Sequence, residues 1–279
     1  MPAGDDGTLT ERGFFWRERL GVKVLICRPL EDAGFANGFS TRLGGISPLP
    51  ANDLNLSGFD QDSRENIAEN RRRFLDVLGS DFKLATAWQV HGDAIKRLET
   101  IDDVDTSDDR ADALISRLTG VLAGVKTADC VPILLGDTST GAFAAVHAGW
   151  RGTVLSIVKK AVNAMTTTYN VRPENIIAAI GPAAGCEKYE VGHDVMDAFA
   201  DNFERSERYF TPRRDGHALV DLKAANRDQL LESGLKPGDI YVAPLCTIER
   251  TDLFFSYRVE KEKYGKTGRL LSVIGRKDA

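Results

Sequence analysis

The stretch 124–153, GVKTADCVPILLGDTSTGAFAAVHAGWRGT, constrains this chain more than any other. Two apolar runs separated by a turn predict two strands, Val131–Leu135 and Ala142–His147. Cys130 follows Ala128-Asp129 at the mouth of the first, and His147 closes the second. The segment Thr153–Tyr169 then places Val154, Leu155, Val158, Val162 and Met165 along one face, which predicts a helix packed on the sheet. Upstream, Lys83–Gln89 reads as a strand that leads into Val90-His91-Gly92. Strand ends converge in open sheets, so two imidazoles and one thiolate there suit a metal with one coordination position open. Such a metal would bring its bound water towards a neutral pKa. The spacing matches no compact metal motif, and a buried Cys130 beside two hydrogen-bonded core histidines fits the same pattern.

Elsewhere the chain alternates between the two periods. Val22–Cys27, Ala113–Ser116, Gly120–Lys126, Ile176–Ile180, Ile240–Ala243, Phe254–Tyr257 and Leu270–Ile274 read as strands. Asp62–Glu65 has the form of a capping box ahead of a helix carrying Ile67, Arg71, Phe74, Leu75 and Leu78, which Gly79 stops. Residues 193–204 and 221–233 predict two more helices, the second capped by Asp221 and followed by Gly234. Residues 1–12 read as a flexible N-terminus. No linker or repeat divides residues 13–279, so a single mixed α/β (α+β) domain is expected. The aspartate-rich stretch 99–112 lacks the EF-hand pattern and reads as a solvated acidic loop. Arg42-Leu-Gly44-Gly45 offers either close backbone approach to a ligand or a surface turn.

Charge and cysteine usage narrow the function classes. The formal net charge of −5 argues against nucleic acid or an anionic membrane as the partner. Cys27, Cys130, Cys186 and Cys246 are far apart, so neither a disulfide framework nor a zinc ribbon is indicated. No apolar stretch approaches the length of a membrane span, and a reducing cytoplasm is the expected location. No protein partner is indicated. His193 opens a predicted helix and His217 lies in a polar turn. Gly149-Trp-Arg151-Gly152 opens a helix with free N–H groups and a guanidinium, a combination that holds phosphate or simply makes a tight turn around Trp150.

Ser40–Gly45, Leu54-Asn55-Leu56, Glu69-Asn-Arg71, Gln89–Gly92, Thr127–Pro132, Val146–Gly152, Ile180–Pro182, Cys186 with Tyr189–Gly192, Asp221-Leu222, Phe255–Arg258 and Thr267–Arg269 run in the order of a known family. On these motifs the sequence resembles the YfiH-like family, long described as multicopper polyphenol oxidase or laccase-domain proteins and now regarded as purine nucleoside phosphorylases. The resemblance implies a sandwich of two mixed sheets flanked by helices. It implies zinc held by His91, Cys130 and His147. It implies phosphorolysis of adenosine, inosine, guanosine and methylthioadenosine to base and ribose 1-phosphate, with adenosine deaminase side activity. Purine nucleosides and phosphate are then the partners, with Arg42, Asn55 and Gln89 as pocket residues. Asp129 is a candidate catalytic group beside Cys130 and His147, or a structural one. Two competing enzymes remain: a cysteine hydrolase with Cys130 as nucleophile and His147 as base, and a cell-wall peptide editing hydrolase. A non-catalytic binding module is the third alternative.

Overall fold

The computed structural model describes residues 5–48, 53–57, 62–79, 81–105 and 108–277. Strands and helices are numbered along the chain. One sheet runs β1 (Phe14–Arg19), β2 (Val22–Cys27), β3 (Phe35–Ser40), β15 (Leu270–Arg276), β7 (Val121–Thr127), β4 (Lys83–Ala85). The other runs β14 (Ile240–Val242), β10 (Ile176–Ile180), β8 (Val131–Asp137), β9 (Phe143–Ala148), β6 (Ala113–Ser116), β5 (Ile95–Leu98). Both are mixed: β4 lies parallel to β7, β14 to β10 and β5 to β6, and the other pairs are antiparallel. A small third sheet joins β11 (Glu190–Val191), β13 (Ala218–Val220) and β12 (Phe210–Pro212).

Side-chain alternation explains why the sheets stack. In β8 and β9, Val131, Ile133, Leu135, Ala144, Val146 and Ala148 face α5 (Ile157–Tyr169), α6 (His193–Asn202) and α7 (Leu222–Glu232). The intervening Leu134, Phe143 and Ala145 meet Leu25, Phe39, Ala123 and Val125 of the first sheet. The outer face of the first sheet, with Val24, Leu122, Leu271 and Val273, is covered by α3 (Arg64–Leu78) through Phe74, Val77 and Leu78. The order of layers is therefore helix, sheet, sheet, helices, the expected sandwich of two mixed sheets flanked by helices. Each large apolar side chain buried in it contributes about 1.5–3 kcal/mol. No described helix is long and apolar enough to cross a membrane.

Several local expectations change. Asp5–Glu11 forms helix α1 rather than a frayed end, because Leu9 is buried between the sheets. Of Lys83–Gln89, only β4 is strand; Trp88 then bridges to Arg110. The capping box shifts by one: Ser63 is the N-cap and accepts from Asn66 N at 3.1 Å, while Asp62 braces Ser63 N and Asn66 Nδ2. Thr153–Tyr169 is not one helix but α4 (Trp150–Val154) and α5, parted at Ser156, whose φ is +58°. The break follows from α7: Gln229 Nε2 donates to Thr153 O at 2.8 Å and Asn226 Nδ2 to Thr153 Oγ1 at 2.9 Å, anchoring the residues just before it. Phe254–Tyr257 pairs with no strand; Phe254 and Phe255 are core residues, and Ser256 caps α8 (Tyr257–Tyr264) by accepting from Val259 N. Asp221 caps α7 as expected, accepting from Ala224 N at 2.8 Å.

Candidate metal centre

Cys130, His147 and Asp112 stand at the ends of three adjacent strands. β8 and β9 pair Pro132 with His147, and β6 and β9 pair Ala113 with Val146. By alternation Cys130 and His147 project to the side that faces the first sheet. His91 arrives from the loop after β4. Its nitrogen, a nitrogen of His147 and the Cys130 sulfur all lie within 4.8 Å of one another. The two imidazoles meet edge to face with centroids 4.9 Å apart. Among the described residues this is the one such grouping of three metal-ligating side chains. Histidine and thiolate ligands in this number fit a borderline-soft divalent metal with a position left open.

Two buried aspartates hold the three candidate ligands in place, and the sequence pattern assigns no such role to Asp112. Its carboxylate, fully buried at the end of the stretch read as a solvated acidic loop, accepts from Val90 N at 3.1 Å, His91 N at 3.0 Å and Gly92 N at 2.8 Å. It also faces His147 Nδ1 at 2.8 Å, which puts the proton on Nδ1 and leaves the Nε2 lone pair for a metal. His91 sits in the left-handed region, φ +60°, a conformation costing about 1–3 kcal/mol that the three N–H bonds to Asp112 sustain. The signal for Asp112 was its setting: a single carboxylate in Ala111-Asp-Ala-Leu-Ile115, at the first step of a strand.

Asp129, also left-handed at φ +84°, pins the turn that delivers Cys130. Its oxygens accept from Thr247 Oγ1 at 2.7 Å, Ser256 Oγ at 3.0 Å and Arg258 N at 2.7 Å. Burial still raises its pKa against those three donors.

Electrostatics ready the thiol of Cys130 for a metal but hold the proton on His147. Burial opposes ionisation of Cys130, but His147 and His91 outweigh it and draw the thiol down to about 6. Burial likewise opposes the charged form of His147, yet Cys130 and Asp112 lift it to about 9. Without metal the pair is therefore a thiolate and an imidazolium between those values. A metal displaces the imidazolium proton, so uptake tightens as pH rises towards 9.

The other expected site residues have partners within the chain. Arg42 is buried and forked onto Asp53 at 2.9 and 2.8 Å, bonds Glu260 at 2.7 Å and lies over the Phe255 ring. The glycines after it approach the chain's own backbone: a Cβ on Gly44 would lie 2.5 Å from Gly21 O, and one on Gly45 2.0 Å from Asp53 O. Asn55 is fully buried and accepts from Arg269 N at 2.9 Å. Gln89 donates to Lys126 O at 2.7 Å and accepts from Lys126 N at 2.8 Å, tying the His91 loop to the edge of β7. Arg151 is exposed and stacks on Trp150 at 4.2 Å.

Gly149 serves the centre by its lack of a side chain. A Cβ there would meet Cys130 Sγ at 3.1 Å and His91 Cδ2 at 3.2 Å. Gly149→Ala is expected to push a ligand off its rotamer at about 0.5–1.5 kcal/mol, or roughly 2- to 10-fold in metal affinity. Competition against a chelator measures this, and an unchanged affinity would show that the ligands give way freely.

Fold and site together define a two-sheet α/β protein with a His/Cys/His centre at the strand ends of one sheet. The sequence profile described as multi-copper polyphenol oxidoreductase laccase matches residues 36–277, and the chain belongs to that family. A purine nucleoside phosphorylase of Deinococcus radiodurans is 38% identical over 242 residues, 86% of this chain and 88% of that protein. The purine nucleoside phosphorylase YfiH of Escherichia coli is 32% identical over 252 residues, 90% of this chain and 98% of that protein. The crystal structure of YlmD from Geobacillus stearothermophilus superposes with a TM-score of 0.87 at 34% identity, covering 95% of this chain and 99% of that one.

Proposed function

We propose that the chain is a zinc-dependent purine nucleoside phosphorylase acting on adenosine, inosine, guanosine and methylthioadenosine, with adenosine deaminase side activity, in a reducing cytoplasm. The observation that carries the reading is the convergence of His91, Cys130 and His147 with Asp112 behind them, in a chain whose relatives bear the phosphorylase name. Bound there, zinc supplies Lewis acidity and a position for water or substrate. Asp112 keeps His147 in the ligating tautomer and fixes the His91 turn. Asp129 positions Cys130 through Thr247, Ser256 and the start of α8. Arg42, Asn55 and Gln89 brace the surrounding loops. A reducing compartment keeps the thiolate of Cys130 available, and all four cysteines are free.

Oxidase chemistry with several coppers draws on many imidazoles. This chain has four histidines, two of them in the centre, while His193 and His217 are exposed.

One observation favours a second reading. Cys130, His147 and Asp112 are also arranged as a nucleophile, base and orienting carboxylate, with the thiol already shifted towards thiolate. A cysteine hydrolase, including one that edits cell-wall peptides, would use that set. Metal content separates the two, because a thiolate bound to zinc is not a free nucleophile. Metal-analysed protein incubated with a nucleoside panel is expected to release base and ribose 1-phosphate only when phosphate is present. Activity in metal-free protein that thiol alkylation destroys would replace the phosphorylase with the hydrolase.

A further inference from the structure

Arg71, Lys126 and Arg269 stand together on the outer face of the first sheet, beside the metal centre. β7 and β15 pair Lys126 with Leu271 and Thr127 with Leu270. Alternation then puts 126 and 271 on one face, and Arg269 is the residue just before β15. Leu271 packs in the cluster under α3, so this is the face that α3 covers. Arg71 comes from α3 itself. All three are half-buried.

Their hydrogen bonds do not neutralise them. Arg71 Nε donates to Leu56 O at 3.0 Å, Lys126 Nζ to Ala87 O at 2.8 Å, and Arg269 Nη1 to Thr267 O at 3.2 Å and Gly268 O at 3.0 Å. Each acceptor is a neutral carbonyl. Among the described residues no carboxylate forms an ion pair with any of the three. Burial, then Arg71, then Arg269, draws Lys126 down to about 8, and burial lowers both arginines. Charges on Cys130, Tyr257 and Asp129 oppose that lowering at Arg269. Three desolvated cations with no counter-ion among the described residues form a costly arrangement that a dianion would relieve.

The cluster is also built into the site. Gln89 clamps the backbone of Lys126 and leads directly to His91. Leu56 N donates to Arg269 O at 3.0 Å and Asn55 Oδ1 accepts from Arg269 N, so Arg71 and Arg269 share the 55–56 segment. Arg151, by contrast, is exposed at the head of a five-residue helix whose entering glycine is packed on the ligands.

We propose that Arg71, Lys126 and Arg269 bind the inorganic phosphate dianion beside the metal centre. The assignment rests on the phosphorylase reading. In that reaction a phosphate oxygen bonds to C1′ of the ribose as the bond from C1′ to the purine nitrogen breaks. The electron pair leaves with the purine, which takes a proton from solvent. The three cations hold the dianion at the approach side, and Arg71 and Arg269 present fork geometry to its oxygens.

Lys126→Met tests this, because it keeps the stem and removes a repelling charge whose one hydrogen bond is to Ala87 O. Calorimetry with inorganic phosphate on metal-loaded and chelated protein is expected to show affinity falling by roughly 10- to 100-fold, with KM for phosphate rising in parallel. Melting temperature without phosphate should be no lower than that of the wild type, while the rise that phosphate produces should be lost. Arg269→Gln gives the second, independent variant. Wild-type phosphate affinity and KM in both variants would overturn the site. Phosphate binding that Lys126→Met abolishes, in a wild type that cleaves nucleosides without any phosphate requirement, would keep the site and refute the phosphorylase reading instead. A parallel titration with AMP separates the sources: tighter AMP binding that both variants lose would overturn the assignment to free phosphate.

Discussion

Cys130→Ala is expected to lose bound metal and purine nucleoside turnover together while the protein stays folded. The thiolate is the only anionic ligand of the three, so its removal takes away the group that offsets part of the metal's charge. The loss should exceed the roughly 10- to 100-fold that removal of an outer-shell partner costs. Folding should survive, because the three apolar clusters lie within and between the layers rather than around the metal. His147, left without its thiolate neighbour, then loses one of the two charges that lift it, so its proton should come off at lower pH than in the metal-free wild type. Elemental analysis, a thermal melt and a nucleoside assay on one preparation check all three points. Full activity in metal-free Cys130→Ala protein would end the zinc mechanism, and alkylation-sensitive activity in metal-free wild type would return Cys130 to the role of nucleophile.

Cys130 and His147 stand out in the sequence as candidate ligands because each stands beside a run that reads as a strand. Val131–Leu135 and Phe143–Val146 are apolar at every position, as strands covered on both faces are, and His147 and Cys130 are the reactive residues at their ends. The same logic fails for Asp112. It belongs by composition to an acidic loop, and its burial depends on β9 laying His147 N against Asp112 O at 2.8 Å, a pairing across 35 positions. Arg42 shows the converse. An arginine before two glycines offers a ligand contact or a surface turn, and nothing local shows that Asp53 and Glu260 pair with its fork. The break at Ser156 is of this kind too, since the amides that anchor Thr153 come from α7. Period and turn chemistry are local and survive in a sequence. The partners of buried polar groups are set by topology, which is why the burial of Asp112 and the break in the long helix are not visible in the local pattern. Phe254–Tyr257 departs for another reason: its apolar residues look like a strand, yet Phe254 and Phe255 pack into the core and Ser256 turns the chain into α8.

Asp112→Asn should lower both stability and metal affinity, and the two losses have separable origins. The carboxylate accepts four hydrogen bonds, three from backbone N–H groups and one from His147. An amide of the same shape has one oxygen, so its NH₂ must point at a donor. The buried, charge-assisted arrangement is then broken at about 3–5 kcal/mol, the usual cost of removing one side of a buried pair. The His91 turn, held at positive φ by these bonds, relaxes with it. Burial opposes the charge on Asp112, but the bonds from His147, Gly92 and Val90 outweigh it and hold the pKa below the ordinary carboxylate value. A depressed carboxyl stabilises above its unfolded pKa, and that contribution is lost as pH falls through the folded value. The wild type should therefore lose this stability in acid, whereas the variant lacks it at every pH. For the metal, the variant no longer fixes the His147 tautomer, and affinity should fall by roughly 10- to 100-fold. Melts of metal-free protein across pH isolate the first effect, and chelator competition near neutral pH isolates the second. If metal affinity stayed at the wild-type value while stability fell, Asp112 would be a brace for the 90–92 turn and not the residue that orients His147.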